Sequence, residues 1–315
     1  MAFRLKIDES VPKSIRRIVA EQIDAAIDEV DDPDLDSHQT IHQVRKRCKK
    51  IRGVLRLVRP PMEDTYQREN AWFRDAARDL SALRDREAMI ETYDLLLDSY
   101  AEQVARKDFA PIRRKLVRRR QQASDEGELQ QRLAGFRARM VTARERLKTW
   151  PVPKGGFKAV CPGLLKTYRR GRKAMEKVYL DPTTPGFHDW RKRAKYHRYH
   201  ARLLRDLWPE LMNPWRDSFE ALSDLLGNDH DLAVLREELL AGSGAFGDRD
   251  RVQALVGLLD RHRGRLQEQA RWLGERCYAE PPKRFRARLK TYWQAWQAEA
   301  TAAEAVAEPA LAPGA

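Results

Sequence analysis

The spacing of apolar residues predicts helices along nearly the whole chain. Ile41, Val44, Cys48, Ile51, Leu55 and Val58 recur at steps of three and four, which places them on one face of a helix about five turns long. Phe187, Trp190, Ala194, His197, Ala201 and Leu204 repeat that spacing, with aromatic groups entering where the first set is aliphatic. Pro12, with Ser10 just before it, opens a helix over 12–30 that the run DDPD ends, and Pro162 opens its counterpart over 162–179, ended by DPTTPG. Further helices are expected over 66–83, 85–106, 215–226 and 231–240, with Asp85 and Asp231 placed to serve as N-caps. No segment sustains a period of two, so the expected fold class is all-α.

The two apolar faces belong to a repeat. Residues 42–59, HQVRKRCKKIRGVLRLVR, and 188–205, HDWRKRAKYHRYHARLLR, match at nine of eighteen positions. Those pairs are His42/His188, Arg45/Arg191, Lys46/Lys192, Arg47/Arg193, Lys49/Lys195, Arg52/Arg198, Arg56/Arg202 and Arg59/Arg205, with Leu57/Leu203 as the one apolar match. The register holds downstream, where Phe73 meets Phe219, Leu80 meets Leu226, Asp85 meets Asp231 and Met89 meets Leu235. The preceding helices align at a slightly different offset, Pro12 on Pro162 and Asp31 on Asp181. This pattern predicts one domain over 1–300 made of two helical halves, 10–150 and 157–299, joined where PVPKGG breaks helicity. Each half is expected to form a bundle of about four helices, the two related by a pseudo-two-fold axis. The end, 301–315, is rich in alanine and proline and is expected to be disordered.

Charge changes the picture from packing to recognition. The chain has 315 residues, 42% of them hydrophobic, and a formal net charge of +14. The first repeat segment holds eight cations and no acid, and the second seven cations with Asp189, so these two segments carry the whole excess. On a helical wheel His42, Arg45, Lys46, Lys49, Arg52 and Arg56 fall within about 120° of one another, a stripe beside the apolar face. His42, Lys49 and Arg56, and likewise Arg45, Arg52 and Arg59, are heptad-spaced, giving two rows of donors at intervals of about 10.5 Å. The second copy repeats them as His188, Lys195, Arg202 and Arg191, Arg198, Arg205. Solvated helix faces normally mix signs, and like charges this close repel unless an anion neutralises them, so an anionic partner is implied. The cysteines, Cys48, Cys161 and Cys277, are odd in number and far apart, which fits a reducing, cytoplasmic setting. The first residues lack a leader-like apolar core and no run of about 18 apolar residues occurs, so membrane insertion is not expected. Attachment to an anionic lipid surface stays open.

The residues that carry this charge pattern also carry a resemblance. HxxRxxxKxxR in both halves, GLLKTYRRGRKAM at 163–175, LLGNDHDLAVL at 225–235 and LSALRDREAM at 80–89 closely resemble the CHAD family, the conserved histidine α-helical domain, over about residues 10–295. The resemblance implies two four-helix bundles related by a pseudo-two-fold axis, with basic residues lining a central groove or pore. It also implies binding of inorganic polyphosphate, with some members associated with polyphosphate granules. Carried over by motif, the implied binding residues are His42, Arg45, Lys49, Arg52 and Arg56 with His188, Arg191, Lys195, Arg198 and Arg202, joined by Tyr168, Arg169 and Arg172. Lys46 and Lys192 are added from the derived stripe. Ser81 departs from the family, which has at this turn the glycine kept here as Gly227.

Polyphosphate suits such a face physically, because its oxygens accept bidentate bonds from Arg and its charge attracts Lys. Other polyanions could be gripped as well, which makes a nucleic-acid-binding protein the second reading, although no exposed aromatics interleave the stripes. A phosphohydrolase or phosphotransfer enzyme ranks last: there is no GxSxG and no P-loop, and Asp229, His230 and Asp231 are explained as helix-start caps. No catalytic residue and no cofactor is expected. No metal is expected either, since each motif supplies one histidine without a neighbouring carboxylate or thiolate. His38 and His42, and His197 and His200, have ligand spacing but read as surface or partly buried histidines. His42 and His188 are expected to contact phosphate or to fix a neighbouring arginine; if they donate as imidazolium, binding weakens between about pH 5.5 and 7.5. The basic run 113–120 reads as a solvent-facing segment in preference to an extension of the binding path.

Overall fold

The computed structural model of the protein describes residues 3–122 and 126–307, without the side chains of 81–85, 126, 243 and 303–307. Among the described residues there are eleven α-helices, a few short 3₁₀ turns and no strand. Helix α1 (Val11–Asp31) starts where the Ser10 hydroxyl accepts from the Lys13 N–H, and it buries Ile15, Ile18, Val19, Ile23 and Ala26. Helix α2 (Ser37–Leu57) opens with a capping box in which Asp36 accepts from the Gln39 N–H and the Gln39 side chain returns to the Asp36 backbone. Ile41, Val44, Cys48, Ile51 and Leu55 on this helix, and Val58 at its C-cap, are fully buried. Then follow α3 (Glu63–Arg78), α4 (Ser81–Asp98), α5 (Arg106–Gln122) and α6 (Glu126–Arg146). After the junction come α7 (Phe157–Leu180), α8 (Thr184–Leu203), α9 (Pro209–Ala241), α10 (Arg249–Cys277) and α11 (Pro282–Ala307).

Four boundaries differ from the sequence reading. Pro162 lies inside α7, which begins at Phe157 after Gly155 and Gly156 at φ 118° and 54°. At the sixth position of the helix the proline cannot bond the Lys158 carbonyl and its ring crowds that oxygen, a cost that the packing of α7 outweighs. Asp231 caps nothing, because α9 is a single helix of 33 residues. The polar run around Asp229 looks like a break, yet Leu222, Leu226, Asp229, Leu232 and Leu235 keep one buried face in phase through it. Asp229 itself is buried and accepts from Arg263 at 3.0 Å and Gln267 at 2.8 Å on α10. The first half does break, at Asp79 and Leu80, so Asp85 lies inside α4 and is no cap either; its side chain is outside the described residues. Finally, α11 continues through 301–307, an alanine-rich stretch with high helix propensity, so only 308–315 of the expected tail lies outside the described residues.

Two cores result. The larger joins α1, α2, α3 and α6 with α7, α8, the first part of α9 and α11; the smaller joins α4 and α5 with the second part of α9 and most of α10. Each core therefore draws on both halves of the chain. The halves meet where α2 crosses α8. Gly53 and Tyr199, the same position in the repeat, touch each other: a Cβ on Gly53 would stand 2.9 Å from the tyrosine ring. Beside them His200, kept neutral by burial, which pushes it down to about 3, donates from Nε2 to the Gly53 carbonyl at 3.0 Å. Arg56, three residues past Gly53, lies over Tyr196, three before Tyr199, so the helices pass in opposite directions. His197, expected at most partly buried, is fully enclosed by Tyr168, Trp215, Phe219 and Phe285 and serves as a neutral packing group.

Candidate anion-binding site at the crossing of the two basic helices

The repeated cations divide into two sets once the helices are in place. Arg47 donates to Glu29 at 2.6 Å and to Gln22 at 3.2 Å, fastening α2 to α1. Arg193 pairs with Asp189 at 2.9 Å, Arg59 with Glu63 at 3.1 Å and Arg205 with Asp206 at 3.5 Å. These repeat matches serve local ion pairs.

The second set comes from both halves: Arg45, Lys49 and Arg52 on α2, and Arg191, Lys195 and Arg198 on α8. Lys49 is largely buried, and burial, followed by the charges of Lys195, Arg45 and Arg191, pushes its ammonium down to about 7 against an opposing pull from Asp231. Lys195 is pushed down to about 8 by burial and then by Arg191 and Arg198, opposed by Asp231 and Asp224. Two ammonium groups, one from each copy, are thus held among arginines in a place that disfavours their charge. An anion entering there would meet donors already gathered and would relieve the repulsion.

The two copies differ in their neighbours. Arg52 Nε donates to the neutral Asn70 side chain at 3.2 Å. Arg198 instead lies 2.5 Å from Glu220 and 3.4 Å from Asp224. At the matching positions the first half has Arg74 and Arg78, so the carboxylates that restrain Arg198 are replaced by cations. Arg191 faces Asp231 at 3.8 Å, which gives that aspartate its place in the structure. Lys46, Lys192 and His42 are exposed at the edge, with Lys192 3.5 Å from Asp189.

Several expected site residues do other work. Arg56 stacks 3.7 Å over the Tyr196 ring and donates to the Asn70 side chain and the Arg52 carbonyl, both at 2.8 Å, so it braces the crossing. Arg202, its counterpart, is partly buried 5.9 Å from the Phe3 ring, and burial and then Arg205 lower its pKa. Tyr168 is a core residue: its hydroxyl donates to the Glu280 carbonyl at 2.7 Å and its ring stacks on Phe285 at 4.3 Å. Arg172 turns to Glu176 at 3.1 Å, and Arg169 lies exposed on α7 near Cys161 and Arg286. The face of α7 that meets α2 is instead Gly163, Lys166, Thr167 and Arg170, which shares a small recess with Arg56, Arg59, Arg193 and Tyr196. Lys166 and Arg170 were missed in the sequence, although their spacing from Gly163 is the signal of a common face.

His188 has a second histidine as its neighbour. His188 Nδ1 lies 3.1 Å from His230 Nδ1, so one ring donates and the other accepts, and neither fixes an arginine through that atom. Burial and then Lys192 and Arg191 lower His188, while burial and then Arg191 push His230 down to about 3. Both shifts favour the uncharged rings. In the run 113–120, Arg113 pairs with Asp94 at 2.8 Å, Arg120 with Glu87 at 2.7 Å and Arg119 with Glu238, all across helices.

Among the described residues no three His, Cys, Asp or Glu side chains group as a metal site, and no helix is long and apolar enough to cross a membrane. The chain matches the family model described as CHAD domain over residues 17–240. The crystal structure of the CHAD domain from the plant Ricinus communis has the same fold, with a TM-score of 0.56 at 18% identity over 84% of this chain and 90% of that one. No curated protein matches the chain.

Proposed function

Because this chain belongs to the CHAD domain family, we propose that it binds inorganic polyphosphate without chemical turnover, across the crossing of α2 and α8. The observation that carries the reading is the placing of Lys49 and Lys195, one from each half, among Arg45 and Arg191 with their charges disfavoured by burial. A flexible chain of phosphates supplies closely spaced negative charge to both halves at once, with Arg52 and Arg198 offering planar donors on either side. Such a role fits a cytoplasmic protein that joins or organises polyphosphate granules.

The rings near the site favour polyphosphate over a single-stranded nucleic acid. Tyr196 and Tyr66 are covered by Arg56 at 3.7 Å and Arg59 at 4.5 Å, which leaves their stacked faces unavailable to bases. In competition against a fluorescent long-chain polyphosphate at near-physiological salt, unlabelled long chains should displace the probe at far lower phosphate concentration than DNA, RNA or heparin. The logarithm of affinity should also fall steeply with the logarithm of salt. Equal displacement by DNA, or a flat salt plot, would overturn the reading.

The unequal surroundings of the two copies give a second expected result. Arg52→Gln should weaken polyphosphate binding more than Arg198→Gln, because Glu220 and Asp224 already offset the charge of Arg198. Isothermal titration of the two variants under one buffer condition checks the order.

A further inference from the structure

A large cavity lies away from the crossing helices and shares no residue with them. It is an open cleft with a volume of about 910 Å³, lined by the segment before α1, the first turns of α1, the end of α6, the junction at Lys154 to Gly156 and the face of α11 that bears Trp293 and Trp296. The two halves of the chain therefore both line it.

Its walls combine two chemistries. On the α11 side, Trp293 and Trp296 stand edge to face with ring centres 5.4 Å apart, and Phe157 lies 5.8 Å from Trp293. Trp293 is 4% exposed, and among the described residues its indole Nε1 has no hydrogen-bond partner. That nitrogen faces Gly156, which also lines the cavity and whose added Cβ would stand 3.4 Å from it. A buried indole N–H without an acceptor is a costly arrangement that a ligand acceptor would relieve.

On the α1 side the cavity is cationic. Lys6, Lys13 and Lys154 line it and form no side-chain ion pair among the described residues. Arg16 gives one guanidinium nitrogen to the Trp150 carbonyl at 2.8 Å, and its buried Nε has no partner among the described residues. The single acid in the lining, Glu9, is already bound by Arg17 at 2.8 Å and by the Ser14 hydroxyl at 2.7 Å. The first turn of α1 carries no acid, so the positive end of its dipole is not offset.

We propose that this cavity is a binding site for a nucleoside triphosphate, its base against Trp296 with a ring acceptor toward Trp293 Nε1 and its phosphates among Lys6, Lys13 and Lys154. An acyl chain would leave the indole N–H unpaired and the lysines without partners, and inorganic phosphate would leave the aromatic wall empty. A heteroaromatic base joined to several negative charges answers both walls.

The test is titration of the full chain with ATP, adenosine and inorganic tripolyphosphate, followed by tryptophan fluorescence and calorimetry. In the Lys49→Met, Lys195→Met background, where the crossing helices no longer hold phosphate, ATP should bind at least tenfold more tightly than adenosine or tripolyphosphate. Trp296→Ala should weaken ATP about tenfold, the loss expected of one base–aromatic stack, and Trp296→Phe, which keeps a ring, should restore most of it. Lys13→Glu with Lys154→Glu should also weaken ATP, whereas Lys49→Met with Lys195→Met should leave it unchanged. The proposal fails if tripolyphosphate binds the Lys49→Met, Lys195→Met variant as tightly as ATP does, if Trp296→Ala has no effect while the protein stays folded, or if ATP binding disappears with Lys49 and Lys195.

Discussion

Lys49→Met combined with Lys195→Met is expected to raise the stability of the free protein while reducing its affinity for polyphosphate at least a hundredfold. A lysine held at about 7 in place of 10.5 carries about 5 kcal/mol of disfavoured charge in the folded state below pH 7. Relaxation of the surroundings reduces what is recovered, so a gain of about 1–3 kcal/mol is expected, seen as a rise of about 2–6 °C in melting temperature. The pH dependence has a definite sign. Both lysines have folded pKa values below their unfolded ones, so the penalty is complete below about pH 7 and is lifted as pH rises toward 10.5. Stability of the unmodified protein should therefore climb from pH 7 to 10, and that slope should flatten in the double variant.

Binding reverses the trend, because a polyanion favours the charged lysines. Complex formation should take up protons between about pH 7 and 9, with affinity highest below 7 and falling by up to tenfold per pH unit for each lysine above its free pKa. Calorimetry in buffers of different ionisation enthalpy measures that uptake directly. A double variant that retains both full affinity and the proton uptake would remove the two lysines from the site.

Gly163→Ala is expected to be the most damaging single methyl that can be added to the chain. A Cβ at Gly163 would overlap the carbonyl oxygens of Leu57 and Arg56, both backbone atoms that cannot rotate away. Helices α7 and α2 would have to separate at the end of the basic helix, and a loss of about 3 kcal/mol or more is expected, measured by chemical denaturation. Gly257→Ala provides the contrast. That glycine is on an exposed face of α10 with no neighbour within 4 Å, so the same change should stabilise by about 0.5–1 kcal/mol through helix propensity alone.

The helices and their buried faces were legible because one face of each is written in a local period. Every apolar position read on α2 is buried, and the register between the copies is the one that brings Gly53 onto Tyr199. What the sequence concealed depends on partners far along the chain. Arg56 looks like any other member of the stripe until Tyr196 is laid over it, and Arg198 looks equivalent to Arg52 until Glu220 arrives. Asp231 resembles a cap because local polarity mimics a helix start, whereas the phase of the buried residues around it runs on unbroken. On α7 the motif drew attention to Tyr168, Arg169 and Arg172, although the buried Gly163 already marked Lys166 and Arg170 as the face turned to α2. The cavity by Trp293 had no local signature, since its walls are joined only by folding.

The contact between Gly53 and Tyr199 also says something about ancestry. When the same position of two copies meets itself, the copies are related as the subunits of an isologous pair are, about an axis through that point. Both cores draw on both halves, so the interiors of the two copies are continuous. Around that contact the copies have diverged: Glu220 and Asp224 restrain Arg198, whereas Arg74 and Arg78 hold the matching positions, a one-sided change that two identical subunits would have to carry twice.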